Sequence, residues 1–261
     1  TKDDLKTIWQ TDDYADMRGE LLRLMMKFQL CYEIPGCAGQ YIAPQLLSEN
    51  APEYERETHP QPLPVGETGD LHVRYAYEFM PKGMLTRFIV AAHPFIEDQR
   101  LVWKSGVVLR KDGARAEIIE YYGKREIQIR VSGQDKKGLL TIVMYEFEKI
   151  HGIYAHLKYD TLIPCNCAAC QASAEPHFYE FDMLKEFLAN RQNDIQCRKK
   201  PYHMVNVRGL LDDFVDMRTE TPEQAEERRR SLEWKFNNAV PGSTEAQQIR
   251  REIERLGGRA Q

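Results

Sequence analysis

The sequence contains no apolar run near the roughly 20 residues that a membrane-spanning helix requires, so no membrane span is expected. Nor does it carry an excess of positive charge: 36 Lys and Arg residues against 40 Asp and Glu leave a formal charge of −4. Neutralised phosphates supply most of the affinity for nucleic acid, so this balance argues against a nucleic-acid partner. The opening residues, TKDDLKTIWQ, have no signal-peptide core. The six cysteines are therefore expected to be reduced, in a cytoplasmic protein.

Familiar catalytic patterns are missing as well. No G-x-x-x-x-G-K-[ST] phosphate loop occurs; YYGKRE has the Gly-Lys pair and nothing else of it. G-x-G-x-x-G, H-R-D, D-F-G and G-x-S-x-G are absent, and no two of the seven histidines form an H-E-x-x-H pair. The Asp and Glu residues fall mostly in charged surface patterns. These absences predict a chain that is not itself an enzyme.

At 261 residues the chain is long enough for a substantial core or for two small domains. Residues 5–30 read as two helices. Leu5, Ile8 and Trp9 face one way in the first, and Leu21, Leu22, Met25 and Phe28 repeat at helical spacing in the second. LCYEI and QYIAPQLL read as short strands around the turn PGCAG. Helices followed by a small hairpin predict a winged-helix-like unit over 1–47. Pro52, Pro60, Pro62 and Pro64 mark 48–70 as a linker.

A second unit is expected over 71–164. In LHVRYAYEF, Leu71, Val73, Tyr75, Tyr77 and Phe79 share one face, the pattern of a half-buried strand. PKGMLTRFIVAAH reads as a helix ended by Pro94. LVWKSGVVL, ARAEIIEYY and REIQIRV read as three strands, GLLTIVMYEFEKIHG as an amphipathic helix and YAHLKYDTLI as a last strand. The expected order is β-α-β-β-β-α-β, an α+β fold with helices against an antiparallel sheet. A cysteine-rich segment, 165–215, follows, with a short helix at DMLKEFLA. The tail, 216–261, reads as a charged helical hairpin: Thr221, Pro222 and Gln224 start it, and Leu232, Phe236, Val240, Ile249, Ile253 and Leu256 form a narrow apolar seam. That seam suits packing on its own domain or a coiled-coil-like partner equally.

The cysteine pattern carries the most chemistry. Cys165-x-Cys167-x2-Cys170 and, further on, Cys197 offer four thiols for one tetrahedral site. Structural zinc sites favour closed four-cysteine shells with some ligands close together in sequence. A metal would stabilise a segment with little core of its own. His177 is a reserve ligand. Three other readings remain: four small buried side chains, a C-x2-C redox pair without the usual βαβ setting, and a disulfide formed in air. Cys31 is expected in the core and Cys37 in a loop. The winged-helix-like unit raises a rival reading, a zinc-containing nucleic-acid-binding module with Arg18, Arg23 and Lys27 on its second helix. Asp12, Asp13, Asp16 and Glu20 in the same stretch would repel phosphate.

LLRLMMKFQLCYEIPG, YIAPQLLSENAPE, LHVRYAYEFMPKGMLTRFIVAAHPFI, LVWKSGVVL and REIQIRVSG resemble the COR (C-terminal of Roc) domain of Roco proteins, prokaryotic type. The resemblance spans about residues 5–215. In that family a Ras-like GTPase domain, Roc, precedes COR, often after leucine-rich repeats, and the leucine-rich-repeat kinases are relatives. The resemblance implies a COR-A half akin to a winged helix and an α+β COR-B half. It implies a non-catalytic module that forms a homodimer, touches the upstream Roc domain, and couples dimer state to the nucleotide cycle. Roc, repeats and kinase are not among these residues, so any GTPase or kinase activity would sit elsewhere in the parent protein.

Overall fold

The computed structural model describes residues 17–55, 69–173, 175–199 and 203–211. The expected first helix around Leu5 to Trp9 and the tail hairpin over 216–261 lie outside the described residues.

Helix α1 (Arg18–Lys27) leads into a minimal antiparallel pair, β1 (Tyr32–Glu33) with β2 (Tyr41–Ile42). The second of these strands is shorter than QYIAPQLL suggested. Pro44 cannot donate to a ladder, and Pro44–Leu46 turn as a 3-10 helix instead. Tyr32 and Cys31 are buried, and Tyr32 stacks on His93 with ring centroids 5.0 Å apart.

The body is a seven-stranded antiparallel sheet in the order β4-β5-β6-β7-β3-β8-β9. Its strands are β3 (Leu71–Tyr77), β4 (Val102–Trp103), β5 (Gly106–Lys111), β6 (Ala114–Tyr121), β7 (Glu126–Gly133), β8 (Tyr159–Pro164) and β9 (Phe178–Glu180). The alternation in LHVRYAY sets the face of β3: Leu71, Val73, Tyr75 and Tyr77 are buried, whereas Phe79, expected on the same face, lies past the end of the strand and is exposed. In register beside them, Val131, Ile129 and Ile127 of β7 turn the same way. Helices α2 (Met84–Ala91) and α3 (Lys136–His151) cover that face. Phe88 and Phe147, both fully buried, stack between the helices at 4.3 Å with planes 5° apart.

Two features of this body differ from expectation. The segment LVWKSGVVL is two strands around a turn at Lys104 and Ser105, which adds a strand to the expected β-α-β-β-β-α-β order. The cause is local packing: Gly106 pairs with Trp103, and a Cβ at Gly106 would collide with the indole. Helix α2 begins three residues later than PKGMLT suggested, because Gly83 takes a left-handed conformation (φ 82°) at its N-cap. No side chain of its own loop caps α2. The Glu120 carboxylate on β6 accepts from the Leu85 amide instead.

The first residues of the expected linker, 48–55, are attached to the sheet. The Lys104 amide donates to the Ser48 carbonyl at 2.9 Å. Arg115 donates to the Glu55 carbonyl at 2.9 Å and to Glu97 at 2.7 Å. Tyr54 donates to Glu117 and lies beside Trp103. Burial opposes ionisation of Glu97, but hydrogen bonds from Arg115 and Arg110 hold its carboxyl below the usual range.

Beyond β8 the chain forms α4 (Ala168–Gln171), β9, α5 (Phe181–Ala189), an antiparallel ribbon of β10 (Asp194–Gln196) and β11 (Met204–Asn206), and α6 (Val207–Leu211). This region is richer in structure than the one short helix expected. β9 pairs with β8 and continues the sheet past residue 164.

Candidate metal centre

Three elements deliver the cysteines to one point. Cys165 follows the last residue of β8, where its amide donates to the His177 carbonyl at 2.7 Å. Cys167 is the N-cap of α4, and Cys170 lies one turn later within it. The Cys170 amide bonds back to the Cys167 carbonyl at 2.9 Å, which closes the C-x2-C turn. Cys197 follows the last residue of β10, and its amide donates to the His203 carbonyl at 2.9 Å across the ribbon. The sulfurs of Cys165, Cys167, Cys170 and Cys197 all lie within 4.8 Å of one another.

The spacing suits one central cation. Sulfurs about 2.3 Å from a tetrahedral centre are about 3.8 Å apart along each edge. Cys167 and Cys197 are 3.8 Å apart, and Cys170 and Cys197 are 3.6 Å apart. None of the four is in a disulfide. Cys165, Cys170 and Cys197 are buried at 2%, 1% and 0% exposure, whereas Cys167 is partly exposed.

Donors converge on the sulfurs, as they do around metal-bound thiolates. The His177 amide donates to the Cys170 sulfur at 3.4 Å. The Cys167 amide donates to the Cys165 sulfur. The Tyr179 hydroxyl lies 3.8 Å from the Cys165 sulfur and 3.3 Å from the Gln196 carbonyl. Burial nevertheless pushes the Cys165 and Cys170 thiols up, because an isolated thiolate is poorly solvated there. A divalent cation reverses that balance, since a coordinating thiol is deprotonated outright.

The reserve ligand has a different place. His177 is not in the mutually close set; it contributes its backbone amide, and its ring packs edge-on against Tyr179 at 4.6 Å. Burial, with Arg198 nearby, lowers its pKa and favours the neutral ring. Tyr179 was not singled out from sequence. Its alternation with His177 after a C-x2-C pair, on a strand facing Cys165, is the signal that could have found it. Cys31 is buried and Cys37 exposed, both outside the cluster, as their sequence setting suggested.

Other candidate residues gather no comparable site. Arg23 pairs with Glu20 at 3.3 Å on α1. Among the described residues the close groups of His, Cys, Asp and Glu side chains able to hold a metal reduce to the four cysteines. No helix there is long and apolar enough to cross a membrane.

Comparison with known proteins matches residues 68–213, more than half of the chain, to the C-terminal of Roc, COR-B domain, and residues 1–47 to the C-terminal of Roc, COR-A domain. The chain belongs to the COR family. COR domains are parts of Roco proteins, in which they adjoin a Roc GTPase domain. A relative described as a probable serine/threonine-protein kinase, roco5, of Dictyostelium discoideum is 24% identical over 141 residues. That alignment takes in 53% of this COR chain and 5% of the kinase, so the chain corresponds to a small part of that protein.

Proposed function

We propose that this chain is a non-catalytic dimerisation and regulatory module of a Roco GTPase, fastened by one structural zinc ion. The match of 1–47 and 68–213 to the two COR halves carries the first part of the reading. The α+β half, about 71–164, would form a two-fold symmetric dimer, in which the same patch serves both chains. A winged-helix-like COR-A half would meet the upstream Roc domain. Nucleotide state in Roc would then shift the dimer population, which requires the two states to differ by only a few kcal/mol. The tail, 216–261, with its apolar seam, is the alternative seat of the dimer contact. Light scattering across concentration, on the full chain and on a chain truncated at residue 216, is the test. A truncated chain that still dimerises assigns the contact to the α+β half. A chain that stays monomeric with and without the tail contradicts the dimer. The chain alone should neither bind nor hydrolyse GTP, and micromolar binding by calorimetry would overturn its non-catalytic role.

The convergence of four sulfurs within 4.8 Å carries the zinc part. Cys165, Cys167, Cys170 and Cys197 would hold the ion as a closed, all-thiolate shell with no open position for a reacting water, the form of a structural site. The free thiols suit a reducing cytoplasm. A salt-dependent DNA titration separates this reading from a zinc-containing nucleic-acid binder.

A further inference from the structure

We propose that the four-cysteine centre is a peroxide-responsive latch, in which oxidation at Cys167 joins it to Cys197, expels the metal and leaves Cys165 and Cys170 without their shared ligand. The inference rests on the zinc reading and adds its regulation.

Three observations carry it. Cys167 is the partly exposed member of the set, while Cys165, Cys170 and Cys197 are buried. A small oxidant in solvent therefore meets the Cys167 sulfur first. Second, the Cys197 sulfur lies 3.8 Å from it, close enough for a side-chain rotation to bring the two into bonding distance. Third, the four ligands bind the ribbon, through Cys197, to the continuous stretch from the end of β8 to α4 that carries Cys165, Cys167 and Cys170. A bond between Cys167 and Cys197 keeps the ribbon tied to the start of α4 but removes the cation that Cys165 and Cys170 shared with them, so the packing around the centre loosens. The Tyr179 hydroxyl on the Gln196 carbonyl at 3.3 Å and the Lys199 amine on the Ser173 hydroxyl at 2.9 Å remain, so the region loosens without separating.

The chemistry balances with hydrogen peroxide as the oxidant. The Cys167 thiolate attacks one peroxide oxygen; an S–O bond forms, the O–O bond breaks, and hydroxide leaves. The Cys197 thiolate then attacks the sulfur of that sulfenic acid; an S–S bond forms and a second hydroxide leaves. Each hydroxide takes a proton from solvent. Two electrons pass from the two sulfurs to peroxide. The cation, left with two thiolates, dissociates. A dithiol reductant reverses the disulfide and restores four ligands.

The test uses the full chain, purified under reducing conditions, freed of reductant without air and then treated with about one to ten equivalents of hydrogen peroxide. Zinc release is followed with a chromogenic chelator, and disulfides are mapped by mass spectrometry of unreduced peptides. The expected result is release of the bound zinc, a peptide joining Cys167 to Cys197, and faster amide exchange over 165–199 with β5 to β7 unchanged. A dithiol plus zinc should restore the starting state. In Cys37→Ser, which lacks the exposed thiol outside the centre, zinc release should be unaltered. Zinc that stays bound at the highest dose, or that leaves with a different cysteine pair joined, overturns the latch and leaves the structural zinc reading standing. A chain that purifies without metal overturns both.

Discussion

The sheet body and the cysteine-bearing region that follows it are stabilised in different ways. The largest fully buried side chains among the described residues, from Tyr32 and Tyr75 to Phe88 and Phe147, all precede residue 150. In the body, strand alternation and two helices bring them together, and the area they remove from water holds the fold. After residue 164 the strands have three residues each and helix α4 has four. Phe181, Leu184, Val207 and Leu211 are buried there, but the point where the pieces meet is made of sulfur. A region with short elements can be specified by a ligand set in place of a large core.

The largest expected effect lies in the body. Phe147→Ala removes a fully buried ring stacked on Phe88 and should cost about 3–5 kcal/mol, shifting urea unfolding of the whole sheet. If the shift stayed local to α3, the body would not be one cooperative unit. Next comes Cys170→Ser, which removes a buried ligand. It should abolish zinc retention and speed amide exchange over 165–199 by roughly 30–100-fold, equivalent to about 2–3 kcal/mol, while β5 to β7 keep their protection. Equal loosening of both regions would erase the contrast between them.

Tyr54→Phe tests the attachment of 48–55 to the sheet. Loss of the hydroxyl that donates to Glu117 should cost about 0.5–1.5 kcal/mol and raise exchange at 48–55. The smallest effect belongs to Glu120. Burial raises its carboxyl pKa, against a smaller opposing effect from the Leu85 amide. Its folded-state pKa exceeds its unfolded one, so the fold favours the protonated form. Stability should therefore fall as pH rises from the ordinary carboxylate range through the raised value. Glu120→Gln keeps an acceptor for the Leu85 amide and should flatten that dependence, by less than about 1 kcal/mol, in urea midpoints measured across acid to neutral pH. A variant as pH-sensitive as the parent would show that Glu120 is not the source.

Periodicity made the body legible. The alternation at Leu71 to Tyr77 and the apolar set Leu85, Phe88, Ile89 and Ala92 are buried as their spacing implied. What stayed hidden depends on partners distant in sequence or on one close approach. The break between β4 and β5 follows from the Trp103 indole lying over Gly106, which no period records. The tie of Tyr54 and Glu55 to β6 joins residues some 60 positions apart. At the metal centre the C-x-C-x2-C pattern was visible, and with it the choice of Cys197 as fourth thiol. The donors from His177 and Tyr179 were not, because they depend on β9 pairing with β8.

Metal content of the full chain, purified under reducing conditions without added metal and measured by native mass spectrometry with X-ray absorption at the zinc edge, tests the central claim most directly. One zinc per chain with four sulfur neighbours near 2.3 Å is the expected result. A metal-free mass with four alkylatable thiols at Cys165, Cys167, Cys170 and Cys197 would contradict it.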